Sequence, residues 1–403
     1  MTMQSDAPKP RAVVRLMPKA NARAIRHGFP WVYANELVVD RRTKALRSGT
    51  LAVLEDSERR PMGLVAVNPA SKIICRMLDR DPQVVVDQAW FARRINRALD
   101  LRKRLFETDY YRLVHAEADG LPGVVIDRFG DAAVIQPNAA WADELLDSLT
   151  AALIEVSGVN TVLKNAGGRT RALEGLDDIS GVLTGAAPDA PIQVPMNDAI
   201  YLADITDGQK TGLYYDQRPN QAFAARLAQD ARVLDVFSHV GGFSLAALAG
   251  GAKSALAVDG SAPALSLAAA GAARMGASER FQTRQGDAFE VLTALGAEGG
   301  QFDVVVCDPP AFAPSKPALE AGLRAYERVA RLAAGLVATG GYLILCSCSH
   351  AADLRSFRSA CTRGIGRAGR SGALIHTGFA GPDHPQLPSL AESGYLKALF
   401  YRL

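Results

Sequence analysis

Apolar and polar positions follow two different periods along this chain. Between residues 11 and 80, apolar residues come in short runs: Ala12–Leu16, Leu51–Glu55, Gly63–Asn68 and Ile73–Leu78. Gly28, Pro30, Gly49 and Pro61 separate them. Runs of this length bounded by turn residues predict strands, and so a small β-rich module. Residues 88–106 switch to helical spacing, with Trp90, Phe91, Ile95, Leu99 and Leu105 set among arginines and lysines. Two strands are expected next, Gly123–Asp127 and Ala132–Gln136, around a turn containing Gly130. A helix over Ala140–Val156 and a strand over Thr161–Lys164 follow. Asp177–Pro191 is rich in Gly, Ala, Pro and Asp and reads as a linker or surface loop.

From about residue 191 the pattern becomes regular. Val233–Phe237, Ser254–Val258, Arg280–Gln285, Phe302–Val306 and Tyr342–Cys346 read as strands. Helices are expected over Phe243–Ala249, Ala262–Met275, a stretch after Asp287, and Gly322–Ala338. Strand and helix alternating at this spacing predict an α/β fold: an open parallel sheet with helices on both faces, binding ligands at the carboxyl ends of its strands. The organisation expected is a β-rich domain over 11–80, a middle α/β domain over 81–190 and a Rossmann-like domain over 191–403.

Composition narrows the class. Of 403 residues, 48% are hydrophobic and 22% charged, enough apolar surface for true cores and too little charge for a disordered chain. No apolar run is long enough to span a bilayer, and Met1–Arg15 has no apolar segment of the secretory type. The reading is a cytoplasmic protein with no membrane partner. The five cysteines and six histidines lack zinc-type spacing, so no metal is expected. The net charge of +3 is uneven. Residues 1–110 carry 21 Lys and Arg against 12 Asp and Glu, a net +9 that leaves −6 for the rest. A basic front end fits an anionic partner such as nucleic acid, or a merely solvated face.

Candidate chemistry sits at the strand ends. Asp235, Asp259, Asp287 and Asp308 end or closely follow four successive strands. Any one alone is commonly a turn or N-cap residue. Together, in register with Gly241-Gly242 and Asp308-Pro309-Pro310, they describe a ligand site. The glycine pair permits close backbone approach, in a stretch that includes Phe237, but the fingerprint GxGxxG is absent. Asp259 is placed for ribose hydroxyls and Asp287 for an adenine amine, so the ligand expected carries adenosine without phosphates.

Two features compete to define the reaction. Pro309 and Pro310 fix the backbone so that Asp308 is held in the cleft, and Phe312 offers an apolar face for a flipped-out base. Cys346-Ser347-Cys348-Ser349 follows the next strand. A thiolate adding to carbon 6 of a pyrimidine makes carbon 5 nucleophilic, which suits methyl transfer. Alternation places Cys346 and Cys348 on one face if the strand continues that far. Cys348 is the candidate nucleophile. Cys346, Cys75, Cys307 and Cys361 read as packing residues, and His239 and His350 as structural histidines flanking the cleft.

Several segments resemble one family. They are Arg26–Tyr33, Glu117–Gly123 running on to Asp127–Gly130, Lys210–Arg218, Val240–Ser244, the Asp308 motif, Ser347-Cys348-Ser349, Asp383-His384-Pro385 and Tyr395-Leu396-Lys397. In this order the chain resembles the bacterial RlmI-type large-subunit ribosomal RNA (cytosine-C5) methyltransferases from Val13 to Leu403. The resemblance implies an N-terminal PUA domain that binds RNA, a middle α/β domain and a class I methyltransferase domain. It implies S-adenosyl-L-methionine as cofactor, Cys348 as catalytic cysteine, and Asp216 and Gln217 as further cofactor-pocket residues. Its RNA partner is 23S rRNA or a large ribosomal subunit precursor. His27 and Trp31 would serve PUA folding or RNA contact. No cysteine follows Asp308-Pro309-Pro310, unlike two-cysteine 5-methylcytosine enzymes of other families, so Asp308 or a water is left to take the carbon-5 proton. Three alternatives stay open: an RNA N-methyltransferase acting on a guanine amine through Asp308-Pro309-Pro310-Ala311-Phe312, a non-catalytic RNA-binding assembly factor, and a small-molecule methyltransferase. The oligomeric state is not legible, and a homodimer is left open.

Overall fold

A computed structural model describes residues 11–206 and 212–403. The chain divides into two compact units. The first runs to Ala187 and includes Pro385–Leu390; the second comprises Pro188–His384 and Ala391–Leu403.

The first unit holds two five-stranded sheets. β1 (Ala12–Arg15), β2 (Trp31–Tyr33), β3 (Thr50–Glu55), β4 (Pro61–Val67) and β5 (Ile73–Asp79) pair in the order β1-β3-β4-β5-β2. They close over Val14, Leu37, Leu54, Val65 and Cys75. β6 (Tyr110–His115), β7 (Val124–Phe129), β8 (Ala132–Pro137), β9 (Thr161–Lys164) and β10 (Gly181–Thr184) form the second sheet in the order β10-β9-β8-β7-β6. The helix Gln88–Leu105, capped by the Asp87 side chain on Trp90 N, turns Trp90, Phe91 and Ile95 into this core beside Trp141. Ala66 and Leu78 from the first sheet join the same cluster. A buried ionic group spans the two sheets. The Arg76 guanidinium bonds Glu117 (3.1 Å) and Glu174 (3.0 Å), and Asn68 Nδ2 donates to Glu174 Oε2 at 2.9 Å.

Two expectations need correction here. Asp177–Pro191 is not all loop, because Gly181–Thr184 pairs with β9 as an exposed edge strand. Helix Ala140–Val156 is two helices, Ala140–Glu144 and Leu146–Ser157, broken where Leu145 leaves helical geometry (ψ 21°). The basic front end is also less open than its charge suggests. Arg76 and Arg102 are buried, and Arg15, Arg26 and Arg94 pair with Glu55, Asp56 and Asp79. Arg102 meets Asp119 through two 2.7 Å bonds. His27 is exposed, whereas Trp31 Nε1 donates to Glu117 Oε1 at 2.8 Å.

The second unit opens with a hairpin, β11 (Ile192–Met196) and β12 (Ala199–Ala203), whose Asn197 and Asp198 both have positive φ. Its sheet comprises β13 (Arg232–Val236), β14 (Ser254–Asp259), β15 (Phe281–Gln285), β16 (Phe302–Cys307), β17 (Val337–Ser347), β18 (Ala373–Gly378) and β19 (Lys397–Arg402). They pair in the order β15-β14-β13-β16-β17-β19-β18. The first five are mutually parallel, and β19 is antiparallel to both β17 and β18. Alternation splits the apolar residues between two faces. Leu234, Val236, Val305, Leu343 and Leu345 pack on helices Ala288–Ala297, Leu319–Leu336 and Leu354–Arg367. Helices Gly242–Ala249 and Ala262–Arg274 pack against β13, β14 and the β11–β12 hairpin. Strand order reverses between β13 and β16, and such a switch point opens a crevice at the strand ends.

Candidate active site

The loop leaving β13 is shaped by backbone geometry. Phe237 (φ 63°), His239 (φ 49°) and Gly241 (φ 82°) all adopt left-handed conformations. Two non-glycine residues held there store strain of the kind seen at ligand sites. A Cβ on Gly242 would lie 2.8 Å from Gln221 Nε2, so a larger residue there would have to displace the Gln221 amide. Asp235 pins the loop from beneath, its Oδ2 accepting from Ser244 N at 2.8 Å at the start of helix Gly242–Ala249. Asp235 is fully buried, and that burial pushes its carboxyl up to about 6.

Asp259, the last residue of β14, accepts from His239 N through Oδ2 and from Ser261 N through Oδ1, both at 2.8 Å. Asp287 is exposed and caps the next helix, Oδ1 receiving Phe289 N (2.9 Å) and Glu290 N (3.1 Å). Both therefore hold loop geometry, and each carboxylate keeps acceptor capacity for a ligand. Asp308 follows β16 directly, its N–H donating to Val236 O at 3.2 Å. Pro309 is buried and Pro310 exposed. The half-buried Phe312 ring lies 5.0 Å from Tyr326, 6.1 Å from Phe289 and 6.2 Å from Phe237.

Asp216 and Gln217 lie just before helix Arg218–Arg226. Tyr395 Oη donates to Asp216 Oδ2 at 2.7 Å, and Asn220 Nδ2 donates to Gln217 Oε1 at 2.6 Å. Lys210 and Thr211, the start of that resembling segment, lie outside the described residues, as do residues 1–10. Among the described residues, Asp216 Oδ1, Gln217 Nε2, Gln221 Oε1, Asp235 Oδ1, Ser238 Oγ and Ser244 Oγ are buried polar atoms around this crevice with no hydrogen-bond partner. Buried polar groups are rarely left so, and a cluster of donors and acceptors marks room for a polar ligand. The set suits a ligand bearing an amino acid end and a ribose, as S-adenosylmethionine does.

β17 ends at Ser347, one residue before Cys348, so strand alternation does not formally extend to the second cysteine. A hydrogen-bonded clamp continues it. Ser347 Oγ donates to Tyr326 Oη (2.9 Å), Tyr326 Oη pairs with Ser349 Oγ (2.8 Å), and Ala313 N donates to Ser349 Oγ (3.0 Å). The serines on either side of Cys348 are thus fixed to helix Leu319–Leu336 and to the loop after Asp308. Cys348 is partly exposed; Cys75, Cys307, Cys346 and Cys361 are buried, and burial raises each of those thiols above its ordinary range.

Sequence reasoning assigned no role to Tyr214 or Lys397. The Tyr214 hydroxyl is pushed up by burial and then by Asp216, Asp308, Cys348 and Asp259, so four of the candidate residues converge on it. Its ring lies 5.0 Å from that of His239. Lys397 is buried and donates to Ser349 O and Ala352 O. Both sit in segments that carry the family resemblance, Lys210–Arg218 and Tyr395-Leu396-Lys397, but nothing in those segments signals a polar role in the cleft. Asp383 and His384 are also buried, joined by a 3.0 Å contact from His384 Nδ1 to Asp383 Oδ1. Among the described residues no group of three or more His, Cys, Asp or Glu side chains is placed to hold a metal, and no helix is long and apolar enough to cross a membrane.

Known proteins share this arrangement. Residues 14–80 match a PUA-like domain, and residues 176–402 match the S-adenosylmethionine-dependent methyltransferase family. A ribosomal RNA large subunit methyltransferase I from Alteromonas mediterranea is 36% identical over 96% of this chain and 98% of its own. One from Klebsiella pneumoniae (strain 342) is 32% identical over 99% of this chain and 100% of its own. A Streptococcus mutans protein described as a SAM-dependent methyltransferase superposes with a TM-score of 0.82 at 18% identity, covering 97% of this chain and all of that one. A methyltransferase structure complexed with SAH superposes equally well (0.82) at 19% identity, covering 98% of this chain and all of that one. The chain belongs to the S-adenosylmethionine-dependent methyltransferases, within the family of the ribosomal RNA large subunit methyltransferase I proteins, and S-adenosylmethionine is its cofactor.

Proposed function

We propose that this chain methylates carbon 5 of a cytosine in large-subunit ribosomal RNA, with Cys348 as the nucleophile. The observation that carries this reading is the placement of Cys348. It is the partly exposed cysteine of the five, at the carboxyl edge of the sheet, clamped by serines on either side and sharing Tyr214 with Asp216, Asp259 and Asp308. The curated relatives are named for ribosomal RNA of the large subunit, and the PUA-like domain supplies an RNA-binding element.

Asp216, Gln217, Asp235, Phe237, Gly241, Gly242, Asp259 and Asp287 would hold the cofactor, with Asp259 toward the ribose and Asp287 toward the adenine. Asp308 would face both cofactor and base. Bound S-adenosylmethionine supplies an electrophilic methyl group. Cys348 Sγ, as thiolate, bonds to carbon 6 of the cytosine and raises electron density at carbon 5, which takes the methyl group. Asp308, or a water it holds, then removes the carbon-5 proton. The electrons of that C–H bond restore the 5,6 double bond, and the sulfur leaves as thiolate. Pro309, Pro310 and Phe312 frame the base.

The test is methyl transfer from labelled S-adenosylmethionine to undermodified large-subunit rRNA, with the product digested to nucleosides. Label is expected in 5-methylcytidine and is lost in Cys348→Ala. Label in another nucleoside, or activity that survives the substitution, overturns the cysteine mechanism and favours N-methylation through Asp308-Pro309-Pro310.

A further inference from the structure

We propose that the Lys397 ammonium holds the Cys348 sulfur as thiolate, and so sets the pH at which the nucleophile is armed. This rests on Cys348 being the nucleophile.

The geometry begins with strand register. β19 runs antiparallel to β17, and Lys397 lies directly opposite Ser347, the residue before Cys348. Its side chain is buried, with 4% of its surface exposed. Nζ donates to Ser349 O at 2.7 Å and to Ala352 O at 2.8 Å. Those carbonyls belong to the turn that carries the chain from Cys348 into helix Leu354–Arg367. The ammonium therefore sits inside the turn that begins at the sulfur.

Charge bookkeeping around Nζ is one-sided. An ammonium has three donors and two go to neutral carbonyls. A buried cation without an anion is costly, by several kcal/mol per ion. Among the described residues no carboxylate lies within ion-pair distance of Nζ. The groups that act on it are the Cys348 sulfur first and then Asp353, whose Oδ1 is already engaged by Ser356 N at 2.7 Å. The anion best placed to offset the buried charge is the thiolate.

Among the described residues, the tyrosines and carboxylates around the sulfur oppose its ionisation or carry no charge. Tyr214 and Tyr326 face it as neutral phenols, both pushed up by burial. Asp308, Asp216 and Asp259 act on the same Tyr214, and His350 follows two residues after Cys348 in the turn. Among these described groups the ammonium acting on the sulfur is that of Lys397. Burial lowers Lys397 to about 8, so the cation that supports the thiolate is lost as pH rises through that value. The armed state is bounded below by ionisation of Cys348 and above by deprotonation of Lys397.

Iodoacetamide alkylation of the full-length chain tests this, with Cys348 followed by peptide mass spectrometry across pH. The wild-type midpoint is expected below the ordinary thiol value of about 8.5. Lys397→Met is expected to raise it by about one unit, slowing alkylation near neutrality about tenfold, and Lys397→Arg to restore it. A wild-type midpoint at or above the ordinary value overturns the proposal, even if Lys397→Met does not fold. So does an unchanged midpoint in a folded Lys397→Met chain. Methylation that survives Cys348→Ala would instead overturn the nucleophile and leave the alkylation profile standing, so the two failures are distinguishable.

Discussion

Asp235→Asn is expected to make the ligand-free protein more stable and a poorer binder of its cofactor. The Asp235 carboxyl is fully buried, Oδ2 accepts from Ser244 N, and among the described residues no donor meets hydrogen-bond geometry at Oδ1. Burial raises its pKa from 3.8 to about 6. At 1.36 kcal/mol per unit, that shift of about 2 units amounts to roughly 3 kcal/mol against the folded state. The sign follows from linkage. Below 3.8 the group is protonated in both states and contributes nothing. Between 3.8 and about 6 only the unfolded chain ionises, so the penalty grows with pH; above about 6 it is complete. Asparagine keeps an acceptor for Ser244 N and removes the charge. The gain should be roughly 3 kcal/mol near pH 7.5 and about half that near pH 5. For a unit of this size that corresponds to roughly 5–10 °C in melting temperature at the higher pH. Calorimetry at both pH values without ligand measures the gain. Titration with S-adenosylhomocysteine and S-adenosylmethionine measures the loss of affinity, expected to be greater for the positively charged sulfonium. A variant less stable than wild type near pH 7.5, or a gain equal at both pH values, would refute the argument that a strained anion is kept there for a cationic ligand.

Two further predictions concern other parts of the chain. Tyr326→Phe removes the hydroxyl that joins Ser347 and Ser349; it should cost about 1–3 kcal/mol of stability, read by denaturant unfolding, and lower kcat more than it raises KM. Glu174→Gln leaves the buried Arg76 short of one of its two counter-charges. A loss of about 3–5 kcal/mol is expected, seen as earlier melting of the first unit, with little change in S-adenosylmethionine binding.

Three of the parallel strands of the second unit were legible because each is a short, mainly apolar run that closes on an acid or a turn: Val233–Val236 before Phe237, Ala255–Val258 before Asp259, Val304–Cys307 before Asp308. The last two strands were not. β18 reads Ala-Leu-Ile-His-Thr-Gly with its first half exposed, and β19 begins with a lysine that looks solvent-seeking until β17 is laid beside it. The β11–β12 hairpin depends on Asn197-Asp198 adopting positive φ, a turn choice that Asn and Asp tolerate but do not announce. β10 escaped because Val182-Leu183-Thr184 is a very short run inside a stretch rich in Gly, Asp, Ala and Pro, with Leu183 packing on the core. At the site, the acids were visible as strand-end residues. Their division of labour was not: Asp287 caps a helix from the surface while Asp235 is sealed beneath its loop. Tyr214 and Lys397 gain meaning only from neighbours far away in sequence.

The buried ionic group of the first unit has a consequence for inheritance. Arg76 and Asn68 lie in or beside the PUA-like sheet, yet both bond Glu174, about a hundred residues later, and Arg76 also bonds Glu117. Ala66 and Leu78 pack into a cluster with Trp90, Phe91 and Trp141. A gene fragment ending near residue 80 would encode a sheet with a stranded guanidinium and an uncovered apolar floor. Recombination that moves this PUA-like element between proteins would leave those groups uncovered unless the following hundred residues travel with it.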